Sequence, residues 1–76
     1  MNNKRRKQLY AIDERLLNLL DDIGDICKEE QEAFDNMPES LQNSAKGEIA
    51  SAAIDALQDA ISAIDEASAA LAEALT

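Results

Sequence analysis

Residues 54–75 read IDALQDA, ISAIDEA and SAALAEA followed by Leu75, and this run of three heptads decides the fold. Large apolar residues stand at the first and fourth positions (a and d) of the repeat, with Ser68 as the exception. Such spacing predicts a long helix that packs along another helix. We expect this second helix over residues 44–75. Its central seam residues are Leu57, Ile61 and Ile64.

Alanine recurs on both flanks of that seam, whereas acidic residues mark the outer ridge of the helix. Small flanking side chains let two helix backbones approach closely, and alanine also has the highest helix propensity. Both explanations of the repeat stay open. Alanine on two flanks favours an inner helix that is touched on several sides. The alanines at 53, 60, 67 and 74 form one flank, and those at 56, 63 and 70 form the other.

A first helix is predicted over residues 4–36 from apolar residues at steps of three and four. We assign the a and d seam of this helix to Leu9, Ile12, Leu16, Leu19, Ile23, Ile26, Glu30, Ala33 and Met37. Leu20, Cys27 and Phe34 add the neighbouring e position, and a stripe this broad is typical of a helix with more than one neighbour. The residues expected in the core or in a dimer contact are Leu16, Leu20, Ile23, Cys27, Phe34, Leu57, Ile61 and Ile64.

The pattern stops at Pro38, which lacks a backbone donor and disfavours helical geometry in the residue before it. We predict a connection over residues 37–43. Asn36 and Glu39 have the spacing of a capping box, which would start one short helical turn. Leu41 is then expected to close the end of the core, and Asn43 or Ser44 to cap the second helix.

Two helices of about 50 Å each, joined by a short connection, predict an all-α antiparallel hairpin that forms one domain over residues 1–76. A lone hairpin leaves much of the broad apolar stripe in water, and chains this small rarely contain enough core on their own. A symmetric homodimer forming a four-helix bundle removes both problems. In that arrangement Glu30, at a core position, either sets the register or faces water near the loop.

The composition excludes several kinds of active site. The chain has no histidine, and the single Cys27 has no internal disulfide partner, so we expect it as a small buried hydrophobe or, alternatively, as a thiol near a dimer interface. Two acidic pairs have the i, i+3 spacing of some helical magnesium sites, but the second helix offers no reciprocal pair. We therefore expect no metal, no cofactor and no enzymatic activity. The acidic pairs are Asp22 with Asp25 and Glu29 with Glu32.

Charges interrupt every apolar stretch, so neither a signal peptide nor a membrane span is expected, and a cytoplasmic location is the natural expectation. The net charge of −9 separates into four consecutive basic residues and a remainder of −13. The basic cluster consists of Lys4, Arg5, Arg6 and Lys7. It either pairs with the C-terminal end of the second helix or forms a site for an anionic nucleotide. Direct binding of nucleic acid is not expected against a body charge of this size.

The acidic surface of the first helix also allows two interpretations. Charged outer positions keep any helical bundle soluble. Closely spaced carboxylates also dock on basic protein surfaces, where complementary fields speed association. The residues of this candidate partner-binding surface are Asp21, Asp22, Asp25, Glu29 and Glu32.

The segment EEQEAFDNMPESLQNSAKGE (29–48) and the IDAL-type heptads after it resemble a group of small, acidic, largely uncharacterised proteins of Gram-positive bacteria, their phages and mobile elements. The most specific part is NMPESLQ (36–42) with Ser44. In the group an acidic residue usually follows that serine, whereas Ala45 follows it here. The resemblance implies a phage or prophage accessory protein that binds or inhibits a host or defence protein, and it implies no catalytic residues.

Overall fold

A computed structural model describes all 76 residues and shows an all-helical chain, as the heptads predicted. Two long helices, α1 (Asn3–Asp35) and α3 (Ala45–Ala74), are joined through a single short turn of helix, α2 (Glu39–Gln42). The molecule is a rod with extents of 58 × 15 × 13 Å. The hydroxyl of Ser68 donates to the Asp13 carboxylate at 2.6 Å, and the chain turns back between Phe34 and Gln42. The long helices therefore pack antiparallel, as a hairpin.

The ends of α1 are set by local backbone chemistry. Asn2 is the N-cap, and its side-chain oxygen accepts the backbone N–H of Arg5 at 2.9 Å. Asn36 ends the helix in helical geometry, with its backbone N–H bonded to the Glu32 carbonyl oxygen. An N-cap residue needs extended geometry, so Asn36 cannot also start the next turn. The predicted capping box with Glu39 is therefore wrong, and α2 has no side-chain cap.

The turn between the long helices is held by Gln42 rather than by Leu41. The Gln42 side-chain amide donates at 3.0 Å to the carbonyl oxygen of Phe34, which has no partner within α1. Leu41 points outward and is exposed, so the expectation that it closes the core is wrong. Ser44 is the N-cap of α3, but its hydroxyl donates back to the Leu41 carbonyl oxygen instead of capping the helix.

Gly47 allows the turn to fold tightly against the start of α3. The residue is buried, and a Cβ atom at this position would lie 2.0 Å from the carbonyl oxygen of Gln42. No side chain fits in that space, because real contacts of a Cβ atom stay beyond 3.0 Å. The packing of the turn therefore requires glycine in the first turn of α3.

The side of α3 that faces α1 is the predicted seam. Ile54 is buried at 5% exposure, and every other a and d position from residue 50 to residue 75 is half-buried. The inward stripe ends with Leu71 and Leu75. The heptad repeat therefore locates this face residue by residue.

The inward side of α1 differs from the predicted seam. The e positions turn toward α3: Leu20 and Phe34 are half-buried and Cys27 is buried. The d positions turn away, so that Leu19 is 50% exposed and Ile26 51% exposed. Glu30 is exposed as well. The predicted seam is therefore confirmed at the apolar a positions, which are half-buried, and wrong at the d positions. The reason is that α1 has apolar residues at three heptad positions, and a single neighbouring helix covers only two of them.

Candidate functional site

The molecule has almost no interior in which a reaction or a ligand could be enclosed. Only three of its 76 residues are buried: Cys27, Gly47 and Ile54. The one concave feature is an open groove, and no three acidic or cysteine side chains lie close enough together to hold a metal ion. Any function of this chain must therefore be carried by its outer surface.

An apolar strip along α1 is left uncovered by α3. Its outermost members are Ile12, Leu19 and Ile26, one heptad apart, and Leu16 and Ile23 beside them are half-buried. We call these five residues the open apolar face. With about 100° of rotation per residue, its outermost members lie about 80° around α1 from the centre of the stripe that packs on α3. Two apolar faces at this angle are the arrangement of a helix with two neighbours.

The predicted acidic surface is present but does not point in one direction. All five carboxylates are exposed, and they span about 16 Å along α1. Asp22 and Glu29 border the open apolar face, whereas Asp21, Asp25 and Glu32 lie further around the helix. The surface therefore divides into a part that flanks the open apolar face and a part that lies away from it.

The basic cluster is likewise exposed, and its four side chains do not converge on one point. Consecutive helical residues point about 100° apart, so Lys4, Arg5, Arg6 and Lys7 project in different directions. Of the four, Arg5 alone lines the open groove, which has a volume of about 560 Å³. The other lining residues are Met1, Gln8, Leu9, Ala11, Ile12 and Arg15.

Arg15 is the functional candidate that sequence reasoning missed. It stands ten residues after Arg5, close to three helical turns, so both guanidinium groups reach the same side of α1. Between them lie Leu9 and Ile12, which give the groove an apolar floor. The ten-residue spacing of Arg5 and Arg15 is the sequence signal that could have found this site.

The eight residues expected in the core or in a dimer contact all lie inside the hairpin to some extent. Cys27 is 8% exposed in the single chain, and its thiol is free. The others are half-buried: Leu16, Leu20, Ile23, Phe34, Leu57, Ile61 and Ile64. A second chain is therefore not needed to bury Cys27, while Leu16 and Ile23 keep part of their surface in water.

Comparison with protein family models, with curated proteins and with solved structures finds no match for this chain. Neither α1 nor α3 contains a segment long and apolar enough to cross a membrane.

Proposed function

We propose that the protein is a non-enzymatic, homodimeric interaction module whose acidic surface docks on a basic patch of another protein. The observation that carries this proposal is the near absence of an interior, with three buried residues beside long exposed helical surfaces. Carboxylates spaced along a rod present an extended negative field, which speeds encounter with a basic partner and disfavours acidic ones.

The proposed class of partner is based on the resemblance of residues 29–48 to small acidic proteins of phages and mobile elements. We propose a host or defence protein of a bacterial cell, bound in the cytoplasm. A protein that handles nucleic acid has the required basic surface, since it must itself bind phosphates. The acidic module would then bind where those phosphates normally bind.

Capture from a host lysate tests this proposal when two matched variants are included. The first variant neutralises the outer part of the acidic surface, Asp21→Asn with Asp25→Asn and Glu32→Gln. The second removes the same charge from α3, Asp55→Asn with Asp59→Asn and Asp65→Asn, at positions that are also exposed. We expect the first variant to lose the specific partner and the second to keep it, with wild-type binding that weakens as salt is raised. A partner retained by both variants would contradict the assignment of the surface.

A second candidate function, capture of an anionic nucleotide, is favoured by the groove. Arg5 and Arg15 flank an apolar floor formed by Leu9 and Ile12, so phosphate and base would each find a matching surface. Thermal melting with ATP as the probe separates this candidate from protein docking. Nucleotide capture requires a saturable rise in Tm that Arg5→Ala with Arg15→Ala abolishes and Lys4→Ala with Lys7→Ala retains.

A further inference from the structure

We propose that two copies of the chain pair through their open apolar faces, with the α1 helices antiparallel and in one defined register. The inference rests on the homodimer of the proposed function and specifies its interface. In this register, residues face each other across the two-fold axis when their numbers add up to about 35. The occupant of the open apolar face is therefore a second copy of α1.

The apolar flanks of both long helices lie on one side of the hairpin, as a flat interface requires. The outermost residues of the open apolar face are displaced by about 80° from the contact of α1 with α3. The two alanine rows of α3 lie on one side of its seam and not on opposite flanks as expected, and the nearer row is displaced from the seam by about 90° in the same rotational sense. Both helices are right-handed and run in opposite directions, so these two rotations end on the same side. A second hairpin can cover both flanks at once.

The layers of this antiparallel register are apolar throughout the centre. Leu16 meets the partner's Leu19, and Ile12 meets the partner's Ile23. Leu9 meets the partner's Ile26, and the two-fold axis repeats each of these contacts. Pairing of a with d positions is the core geometry of antiparallel coiled coils, and it buries the side chains that one hairpin leaves exposed.

The charges beside these layers are complementary in this register. Arg15 lies opposite the partner's Asp22, on the flank where g positions face each other. Arg5 lies at the end of the row of layers, opposite the partner's Glu30. Glu30 therefore faces a cation across the interface, although it interrupts the apolar pattern of its own helix.

Other registers bring like charges together. A shift by one heptad places Arg15 opposite the partner's Arg15 in one direction and Asp22 opposite the partner's Asp22 in the other. A parallel pairing places Arg5 against the partner's Arg5 and Glu30 against the partner's Glu30. Like charges at close range oppose association, so the charge pattern selects a single arrangement.

The alanines of α3 support the same two-fold axis independently. The hydrogen bond between Asp13 and Ser68 sets the two helices of one hairpin level with each other. The midpoint of the α1 register, between residues 17 and 18, therefore lies level with residues 63 and 64 of α3. The flank from Ala53 to Ala74 is centred on that same level. The axis that pairs α1 with its copy thus pairs alanine with alanine along α3, where close backbone approach is possible.

This arrangement gives the uneven charge of α1 a structural role. The basic cluster at residues 4–7 comes to lie near Glu29 and Glu30 of the partner subunit, which are on the interface side of its helix. The open groove lined by Arg5, Ile12 and Arg15 receives the partner's helix. Dimer formation and nucleotide capture in the groove therefore compete for the same surface.

Charge reversal tests the register by light scattering and sedimentation equilibrium. Arg15→Asp brings carboxylates together at two symmetric places, and we expect the dimer Kd to rise about tenfold. Asp22→Arg should do the same, and the double variant R15D with D22R should return the Kd to near its wild-type value. Lys28→Asp makes the same change in net charge at an exposed position away from the interface, and should change the Kd less than about twofold.

Disulfide trapping measures the register directly. In a Cys27→Ala background, a mixture of R15C and D22C chains should form covalent dimers much faster than either variant alone. Rapid dimers from R15C alone or from D22C alone would overturn the register, as would single and double charge variants that dimerise equally well. A monomeric wild-type chain would overturn the homodimer and this inference together. Such a monomer can still bind a basic partner, which the lysate experiment detects separately.

Discussion

The half of the hairpin next to the turn, the loop half, is packed more tightly than the half that contains the two chain ends, the open half. All three buried residues, Cys27, Gly47 and Ile54, belong to the loop half, where the turn packs its backbone against α3. In the open half no residue is buried, and Ile12 and Leu19 keep much of their apolar surface in water. The covalent connection thus supports the tightest packing of the chain, whereas the far half contains no buried residue. Ile26 leaves apolar surface uncovered in the loop half as well, so the open apolar face runs through both halves.

Truncation of the central seam residue of the loop half should have the largest effect. Ile54→Ala removes the most buried large side chain, and we expect a loss of about 2–4 kcal/mol in the free energy of unfolding. Leu71→Ala in the open half removes a half-buried side chain and should cost clearly less. Urea unfolding followed by circular dichroism, at one fixed protein concentration, checks both. Equal losses would contradict the difference between the halves.

The two glycines provide the next largest contrast. Gly47→Ala forces a methyl group into the Gln42 carbonyl, and we expect it to destabilise the fold by about 1–3 kcal/mol. Gly24→Ala meets no atom within 4 Å and should stabilise the chain by up to about 1 kcal/mol through helix propensity. Thermal melting of the two variants side by side should therefore shift Tm in opposite directions. A stabilising Gly47→Ala would mean that the turn does not pack as described.

Loss of the side-chain hydrogen bond that holds the turn should lower the free energy of unfolding by a smaller amount. Gln42→Ala removes the side-chain donor to the Phe34 carbonyl oxygen, which keeps the backbone N–H of Met37 as its other donor, and we expect a cost of about 1 kcal/mol. Hydrogen exchange should show that the change is local, with faster exchange at the end of α1 and the start of α3. The exposed residue Asn43 is a suitable control, since Asn43→Ala removes no side-chain hydrogen bond.

Loss of the side-chain hydrogen bond in the open half should have the smallest effect on the free energy of unfolding. Ser68→Ala removes the bond to Asp13, but alanine is the better helix former and is apolar within the seam. These gains offset much of the lost bond, so we expect a net change of about 0.5 kcal/mol or less. Urea unfolding measures it. A loss as large as that of Gln42→Ala would show that the two halves are equally dependent on their polar contacts.

The two long helices differ in how far the sequence specifies their contacts. In the three heptads of α3, residues 54–75, the large apolar residues occur only at a and d, so the inward face could be predicted from spacing alone. In α1 apolar residues occupy a, d and e, and periodicity cannot decide which two positions face the single neighbour. The choice depends on tertiary packing, in which Cys27 and Phe34 fit against α3 and leave Ile26 outside.

The turn and the groove were predicted less well for a different reason. The closeness of Gly47 to Gln42 depends on backbone geometry, and a sequence pattern records only that a glycine is present. The groove arises because Arg5 and Arg15 reach the same side of α1 from almost three turns apart. The acidic residues, by contrast, could be assigned to the surface at once, since charged side chains are rarely buried without partners.

The rod shape of the hairpin determines what small-angle scattering would report. The radius of gyration is 17.2 Å, against about 11 Å for a compact chain of this length. This value is set mainly by the length of the rod, and antiparallel pairing side by side adds thickness without adding length. Dimerisation through α1 should therefore double the forward scattering while the radius of gyration hardly changes. An end-to-end assembly would lengthen the particle, so its radius of gyration would rise steeply with its mass.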